Sequence, residues 1–390
     1  MYRRETREIV GSLLERVCSV GDTCENHKED LNYKEFLEIQ LELVKRIVET
    51  EKTISKLRKE KPEKPHNIDE AIERRKLLKV LGTTIAWILL EFDRPYIRGL
   101  AHGLDSGFIS GKKGLELELL ALRTGFKFKD SAAILHDLTN CLRLGDLSIT
   151  GPKGLLTLEL KLKKRKKRNV REIRQKRRME IIDEFYRKGI STRIIPNMTS
   201  IQRSSKKPDK HNWNELSSAI ATADKDGFGI RVVEKCLIYC AIGNKGLIDE
   251  ALSRAGGLYK LRDARIMVGC LDRHIDVPIP PIMPFTCFDI SPQYKHELLF
   301  RTTNFCVLLD LNSLCRIMQE NGFRCRILEN SESERHFDNP ILEVSNEKGA
   351  SEPTYTSFGL ISRLLYECLS VETFIDYHKA FDSLSMEFKS

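Results

Sequence analysis

The stretch that most constrains the fold is LGDLSITGPKGLLTLELKLK, residues 144–163. Polar residues alternate with leucines from Thr157 to Lys163, and a period of two is the period of a β-strand. Before this run, Gly151-Pro152-Lys153-Gly154 has the composition of a tight turn that reverses the chain. The pattern therefore predicts two antiparallel strands joined by a short turn.

Three charged residues of this predicted hairpin are brought together by its geometry. Glu159 and Lys161 are two residues apart and share one face of the second strand. The turn would place Asp146, from the start of the first strand, beside them. An E-x-K triplet is also typical of an exposed strand with a solvated, salt-bridged face, so the spacing alone leaves both interpretations open.

Length and composition indicate a multi-domain globular protein. The chain has 390 residues, of which 41% are hydrophobic and 31% charged, enough for two or three domains with their own cores. The longest apolar run, 85–90, is far too short to span a membrane. The N-terminus continues into charged helical sequence without an apolar signal core, so we expect an intracellular location, either cytoplasmic or nucleoid-associated. Eleven cysteines without a CxxC pair are typical of reduced, buried thiols.

Positive charge is concentrated in one segment. The basic segment, residues 161–178, contains twelve Lys or Arg and one Glu. Its net charge, 12 − 1 = +11, exceeds the formal net charge of +9 of the whole chain. Such a density attracts polyanions through counterion release, and nucleic acid is the commonest intracellular polyanion. A solvated helix face or a targeting signal is the alternative interpretation.

Changes in composition and periodicity along the sequence divide the chain into four predicted regions. They are a helical N-terminal region (1–102), a core around the hairpin (103–190), a linker followed by helical sequence (191–265), and a mixed α/β region (266–390). In the core, an amphipathic helix containing Glu116 and Glu118 ends at Gly125, and a basic helix follows the hairpin and ends at Gly189. The stretch from Asn214 to about Arg262 is predicted to be helical.

The order of these core elements resembles the PD-(D/E)XK superfamily of metal-dependent nucleases, in particular its RecB-like branch. The resemblance covers residues 103–190 and implies an α/β (α+β overall) fold with a restriction-endonuclease-like core, a central mixed sheet flanked by helices. It also implies a Mg²⁺ or Mn²⁺ cofactor. Carboxylate oxygens are the ligands that such hard cations prefer, and a lysine can orient the attacking water and stabilise charge on the phosphate.

The resemblance assigns roles to individual residues. It places the metal ligands at Asp146, Glu159 and Glu116, with Glu118 as the alternative to Glu116, and makes Lys161 the catalytic lysine. Gln175 would be the glutamine of the RecB-like helix, although Met179 replaces the aromatic residue often found four positions later. The residues expected to bind nucleic acid are Lys163, Lys164, Arg165, Lys166, Lys167, Arg168, Arg171, Arg174 and Arg178.

The sequence therefore predicts a metal-dependent nuclease that acts on nucleic acid, with DNA favoured over RNA, in repair or in defence against foreign DNA. A non-catalytic nucleic-acid-binding or scaffold protein that uses the basic segment is the alternative. An interaction protein whose basic segment is a targeting tag is a further one. We expect no membrane partner, and we expect the helical N-terminal or the C-terminal region to offer a surface for a homo-oligomer or a protein partner.

Overall fold

The structure, a computed structural model, describes the chain in thirteen segments. They are residues 4–26, 33–60, 66–101, 107–151, 154–161, 170–188, 190–191, 200–201, 208–258, 265–271, 282–329, 340–346 and 353–387. The chain forms two compact units, of which unit 1 comprises Met1–Lys206 and Pro278–Cys287, and unit 2 comprises Lys207–Val277 and Phe288–Ser390. This division is coarser than the four predicted regions. Within the described residues no helix is both long and apolar enough to cross a membrane.

Unit 1 combines helices with a small antiparallel sheet. Its helices are α1 (Arg4–Asn26), α2 (Tyr33–Glu60), α3 (His66–Leu89), α4 (Arg94–Leu100), α5 (Leu115–Gly125) and α6 (Val170–Lys188). Its strands are β1 (Ala132–Leu135), β2 (Leu147–Gly151), β3 (Gly154–Leu158), β4 (Ile190–Ser191) and β5 (Ser200–Ile201). Two 3-10 turns lie at His136–Leu138 and Phe285–Cys287.

The predicted hairpin is confirmed as β2 and β3, but β3 ends at Leu158, so the E-x-K triplet lies beyond the strand on which it was predicted. These strands pair antiparallel from Leu147↔Leu158 to Gly151↔Gly154. The strand β1, which the sequence pattern did not single out, completes the sheet in the order β1-β2-β3. The free edge of β1 is covered by the Gln40 amide of α2, which donates to Ala133 O at 2.9 Å and accepts from Leu135 N at 3.1 Å. A buried glutamine thus satisfies backbone groups that a further strand would otherwise pair.

Unit 2 is built on a four-stranded sheet and a smaller three-stranded one. Its helices are α7 (Trp213–Asp226), α8 (Ile248–Leu258), α9 (Pro292–Leu299), α10 (Leu311–Glu320), α11 (Phe358–Tyr366) and α12 (Val371–Glu387). Its strands are β6 (Phe228–Glu234), β7 (Leu237–Ile242), β8 (Ile266–Cys270), β9 (Asn304–Asp310), β10 (Phe323–Ile327), β11 (Leu342–Asn346) and β12 (Thr354–Thr356). The sheet orders are β6-β7-β9-β8 and β10-β11-β12.

The mixed α/β class is confirmed, with twelve α-helices and several antiparallel sheets in the described part of the chain. The expected central sheet with both parallel and antiparallel strands is not seen there, since every described strand pair is antiparallel. The β2–β3 and β6–β7 pairs are joined by short turns, which allow only antiparallel pairing.

One helical prediction is wrong. The stretch from Asn214 to Arg262 is not continuously helical, because the β6–β7 hairpin interrupts it after Gly227 (φ +83°), which ends α7. β7 contains the β-branched or aromatic residues Ile238, Tyr239 and Ile242, and all six of its residues are buried, which removes the alternation that normally marks a strand.

A close approach in unit 1 generates the first prediction. A Cβ added to Gly82 of α3 would lie 2.0 Å from the carbonyl oxygen of Leu138, in the 3-10 turn after β1. Gly82→Ala should therefore lower the free energy of unfolding by about 1–3 kcal/mol, although alanine is the better helix former. Urea unfolding monitored by circular dichroism measures the change.

Gly257 of α8 provides the control, because a Cβ there would have no atom within 4 Å. Gly257→Ala should be neutral or stabilise by up to about 1 kcal/mol. A Gly82→Ala protein as stable as the wild type would contradict the close packing of α3 against the 3-10 turn.

A buried histidine in unit 2 makes stability depend on pH. His378 is 7% exposed, shares a hydrogen bond with the Thr356 hydroxyl at 3.2 Å, and lies against Phe374. Burial lowers the pKa of His378 to about 4, whereas an unfolded histidine titrates near 6.5. The unfolded state therefore binds more protons between these values, and the resulting stability is present above pH 6.5 and lost as the pH falls towards 4.

We expect this loss to be on the order of 3 kcal/mol in the wild type. It should shrink in His378→Gln, which keeps a hydrogen-bonding group but does not titrate. Unfolding midpoints measured at half-unit intervals from pH 7.5 to 4 provide the comparison, and parallel curves for the two proteins would contradict the assignment.

Candidate functional site

Asp146 lies immediately before β2, the middle strand of the unit 1 sheet. Its backbone is hydrogen-bonded to Leu158 of β3 on one side and to His136, which follows β1, on the other. Its N–H donates to Leu158 O at 2.8 Å, and its carbonyl accepts from His136 N at 3.0 Å. Both bonds extend the ladders of the sheet beyond the assigned strand. The preceding residue, Gly145, has φ +81°, and a Cβ there would lie 2.7 Å from the Thr157 side chain. The backbone of Asp146 is therefore fixed on both sides.

The Asp146 carboxylate reaches the segment after β3. Its Oδ2 accepts a hydrogen bond from Leu160 N at 2.7 Å, and Leu160 is the middle residue of the E-x-K triplet. Glu159 and Lys161 lie just beyond the end of β3, where Lys161 Nζ is 3.4 Å from Glu159 Oε1. Their side chains are 23% and 37% exposed, respectively. The hairpin thus brings the Asp146 carboxylate to the backbone of the triplet at Leu160.

The other oxygen of Asp146 belongs to a cluster that the sequence did not indicate. Lys112 Nζ lies 3.4 Å from Asp146 Oδ1, 2.7 Å from Asp137 Oδ2 and 2.8 Å from Glu118 Oε1. We call these four residues the Lys112 cluster. Its members come from the loop before α5, from α5, from the 3-10 turn after β1 and from the start of β2.

Burial and charge act in opposition within the Lys112 cluster. Burial disfavours the ammonium of Lys112, but the surrounding carboxylates, Asp137 first, outweigh it and raise the Lys112 pKa. The pKa of Glu118 is also raised, because burial and the charges of Asp146 and Asp137 outweigh the stabilising Lys112 ammonium. Glu118 is 2% exposed, and its buried Oε2 has no hydrogen-bond partner among the described residues. One carboxylate oxygen of the cluster therefore remains unsatisfied.

Helix geometry decides between the two glutamates of α5. Residues two apart on a helix point in directions about 200° apart, so only one of them faces the sheet. Glu118 is buried at Lys112, whereas Glu116 is exposed on the first turn. The structure therefore brings Glu118, and not Glu116, to Asp146.

The structure describes only some of the predicted residues of the basic segment. Lys163, Lys164, Arg165, Lys166, Lys167 and Arg168 lie outside the described residues. Gln175, Arg171 and Arg174 lie on α6, but their side chains lie outside the description. Arg178 is partly buried, and burial lowers its pKa, while Lys176 and Arg177 are exposed.

A chain of buried polar groups lies behind Asp146. His136 Nε2 and the Ser148 hydroxyl are 2.8 Å apart, Ser148 and Thr157 hydroxyls are 3.2 Å apart, and the Tyr96 hydroxyl is hydrogen-bonded to Thr157. Burial lowers the pKa of His136 to about 4, against the opposing charges of Asp146 and Asp137, so the imidazole is neutral at pH 7. The polar face of the hairpin is thus turned inward, and Leu156 on the other face is 52% exposed.

Helices α2 and α3 fix the loop that carries Lys112. Glu51 Oε1 accepts from Arg75 at 2.6 Å, and Glu51 Oε2 accepts from Ser110 N at 2.8 Å. Arg75 also donates to Gly107 O at 3.0 Å and lies over the Phe108 ring. The Glu51 side chain is fully buried, so the loop is held by a desolvated ion pair of the N-terminal helices.

The fit of this arrangement to a divalent cation can be tested on the donor atoms. Carboxylates are the right ligands for Mg²⁺ or Mn²⁺. However, within the described residues no three His, Cys, Asp or Glu side chains converge closely enough to hold a metal. The distances of 2.7–3.4 Å around Lys112 Nζ suit an ammonium, and a metal requires oxygens at about 2.0–2.6 Å. As placed, the residues do not fit a metal, because Lys112 occupies the point where three carboxylates meet.

Two residues of the site, Lys112 and Asp137, were missed at the level of sequence. Asp137 does carry a signal, since it follows a run of buried apolar residues that forms β1, and polar residues at strand ends commonly line sites. Lys112 has no comparable signal, because a lysine between glycines in a loop is unremarkable in composition. Its position follows from the anchoring of the loop on Glu51.

Comparison with known proteins adds no family assignment. No protein-family model, curated protein or solved structure matches the chain. The functional argument therefore depends on the geometry of unit 1.

The anchoring of the Lys112 loop generates a prediction. Glu51→Ala would leave the Arg75 guanidinium, 19% exposed, without its partner and free the Ser110 amide. We expect a loss of about 3–5 kcal/mol in the free energy of unfolding and faster hydrogen exchange in the peptide spanning residues 107–111.

Glu49 on the same helix is the matched control. It pairs with Arg46 at 3.3 Å on the surface, where it is 50% exposed, so Glu49→Ala should cost less than about 1 kcal/mol. Equal effects of the two substitutions would show that the Glu51 ion pair does not hold the loop.

Proposed function

We propose that the chain is a metal-dependent nuclease that hydrolyses phosphodiester bonds of nucleic acid, with DNA as the favoured substrate and Mg²⁺ or Mn²⁺ as the cofactor. The observation that carries the proposal is the 2.7 Å hydrogen bond from Leu160 N to Asp146 Oδ2. It ties a carboxylate at the start of the middle strand to the backbone between Glu159 and Lys161. A biological role in DNA repair or in defence against foreign DNA is part of the proposal.

The order of elements supports the resemblance to the PD-(D/E)XK superfamily and a restriction-endonuclease-like core. Helix α5 with a buried glutamate precedes an antiparallel sheet, and Asp146 lies immediately before the middle strand. The E-x-K triplet follows the next strand, and helix α6 comes after it. Helix α6 docks through buried Ile182 and Phe185. Ile182 contacts the helix that carries Tyr96, because a Cβ on Gly99 of α4 would lie 3.1 Å from it.

In this proposal the side chains at the end of the hairpin have different roles in binding the cation and the phosphate. Asp146 and Glu159 supply carboxylate oxygens, and Lys161, which is partly exposed, offers an ammonium to a phosphate oxygen or to the attacking water. A bound divalent cation would supply Lewis-acid stabilisation of the phosphate and a more acidic water. The basic segment would hold the phosphate backbone without reading base sequence.

Cleavage assays with linear and circular DNA and with RNA test the proposal. The wild type should cleave with Mg²⁺ or Mn²⁺ and stop when a chelator is added. Lys161→Ala, Asp146→Asn and Glu159→Gln should each reduce the rate by about 100-fold or more, since each removes a charged group from the reacting centre. Lys129→Ala, an exposed lysine of the same unit, should retain the wild-type rate.

Two further variants decide which glutamate of α5 takes part. Glu118→Gln should reduce cleavage and Glu116→Gln should not, because only Glu118 contacts Lys112. Equal cleavage by wild type and Lys161→Ala, or cleavage that persists in chelator, would contradict a metal-dependent nuclease of this type.

A second function is favoured by one specific observation. Lys112 neutralises part of the acidic cluster, and the described residues contain no metal-ready group. This arrangement suits a non-catalytic nucleic-acid-binding or scaffold protein in which the basic segment is the binding surface. It requires DNA binding that Asp146→Asn leaves intact and no cleavage with any divalent cation. The binding should be sensitive to salt. In titrations at 50–300 mM salt, the affinity for DNA should fall by about 10³-fold or more over that range.

A further inference from the structure

Three cysteines line up across the larger sheet of unit 2. The strand register pairs Cys306 of β9 with Cys240 of β7 on one side and with Cys270 of β8 on the other. Directly opposed residues of antiparallel strands point to the same face of a sheet, so the three thiols form a row on one face. The described residues contain no group of three His, Cys, Asp or Glu side chains that could hold a metal ion. The chemistry of the row is therefore that of its thiols.

One pair in this row is in direct contact. The sulfur atoms of Cys270 and Cys306 are 3.0 Å apart. Both residues are half-buried, whereas Cys240 is fully buried. Burial, with a smaller contribution from Cys270, raises the pKa of the Cys240 thiol to about 11, and the thiolate is the form of cysteine that reacts. Contact and exposure therefore favour the Cys270–Cys306 pair.

The backbone around this pair has the spacing of a disulfide. Directly opposed residues of antiparallel strands have Cα atoms about 4.5 or 5.5 Å apart, and both distances fall within the range of about 4.4–6.8 Å found in disulfides. On the other face of β8, α11 packs against the strand, because a Cβ on Gly269 would lie 2.7 Å from Leu365 Cβ. A bond of about 2.05 Å requires the sulfur atoms to approach by about 1 Å, which side-chain rotation can supply.

We propose that Cys270 and Cys306 are a redox-active dithiol that a peroxide converts into a reversible disulfide. Cys270 is the last residue of β8, and β8 is an edge strand of the sheet order β6-β7-β9-β8. The bond fastens this edge strand to the inner strand β9. The modification site lies in unit 2 and is independent of the nuclease proposed for unit 1.

The oxidation takes two steps. The thiolate of one cysteine attacks a peroxide oxygen, which gives a sulfenic acid and releases the other oxygen as hydroxide. The thiol of the second cysteine then displaces the sulfenic hydroxyl as water, and the S–S bond forms. Two thiols and one hydrogen peroxide thus give one disulfide and two waters. The two sulfurs together lose two electrons, which the peroxide accepts, and a dithiol reductant reverses the bond by thiol–disulfide exchange.

Intact-mass measurement and peptide mapping of the full chain test the proposal. Hydrogen peroxide added to the folded wild type should cause a loss of about 2 Da and link the peptides of Cys270 and Cys306, and dithiothreitol should reverse both changes. Amide exchange in β8 should slow at least about tenfold in the oxidised protein, because the edge strand can no longer separate from β9. The thermal midpoint should rise by about 5 °C or more, since the bond joins residues 36 positions apart in the chain.

Cys270→Ser should abolish the mass loss, and Cys240→Ala, in the same row, is the matched control that should retain it. Cys315→Ser is a second control. The sulfur atoms of Cys315 and Cys325 are 3.2 Å apart, but these residues are only 8% and 7% exposed. Peroxide should therefore reach that pair more slowly, and Cys315→Ser should lose about 2 Da as the wild type does.

Several results would overturn the proposal. One is a wild-type map in which Cys306 is linked to Cys240, or in which only Cys315 and Cys325 are linked. Another is a mass loss that persists in Cys270→Ser. Sulfinic or sulfonic acids on Cys270 and Cys306 without a link between them would show that the two thiols do not meet. Unchanged amide exchange in β8 after the link has formed would overturn the fastening of the edge strand.

Discussion

The ion pairs of Lys112 connect the loop before α5 and α5 itself to the paired strands β1 and β2 of unit 1. One ammonium meets carboxylates from α5, from the turn after β1 and from the start of β2. Two unit charges 4 Å apart near a protein surface interact by about 4 kcal/mol, so the carboxylates would strongly repel without it. The geometry at the open end of the hairpin therefore depends on a cation, and in the structure the protein supplies its own.

The N-terminal helices determine where that cation lies. Glu51 and Arg75 form a buried pair that accepts and donates hydrogen bonds to the loop before Lys112. Gln40 completes the edge of β1, the strand that leads to Asp137. These helices carry no catalytic signature in their sequence, yet they fix two of the four elements that build the cluster. Helical region and hairpin accordingly belong to one compact unit.

Local patterns predicted the elements that have strong local signals. The turn glycines located the β2–β3 hairpin, and Gly125 marked the end of α5, whereas the leucine alternation extended the second strand beyond its observed end at Leu158. The site was only partly predictable, because contacts between distant residues set it. Asp146 and the E-x-K triplet meet across a turn, which sequence spacing can indicate. Lys112 reaches Asp146 through a loop held by Glu51, and the choice of Glu118 over Glu116 depends on which face of α5 packs on the sheet. The β6–β7 hairpin was missed because β7 is buried throughout, which removes the alternation of a strand.

The cation at the centre of the Lys112 cluster is the lysine itself. Its ammonium is tethered beside the three carboxylates, so it acts at a high effective concentration, on the order of millimolar or more. Its contacts of 2.7–3.4 Å are those of hydrogen-bonded ion pairs, whereas a metal requires oxygens at about 2.0–2.6 Å. In the structure the cluster is therefore a joint that holds the loop before α5, α5 itself, the turn after β1 and the start of β2 together. The proposed cleavage depends on the other oxygen of Asp146, which faces the backbone between Glu159 and Lys161.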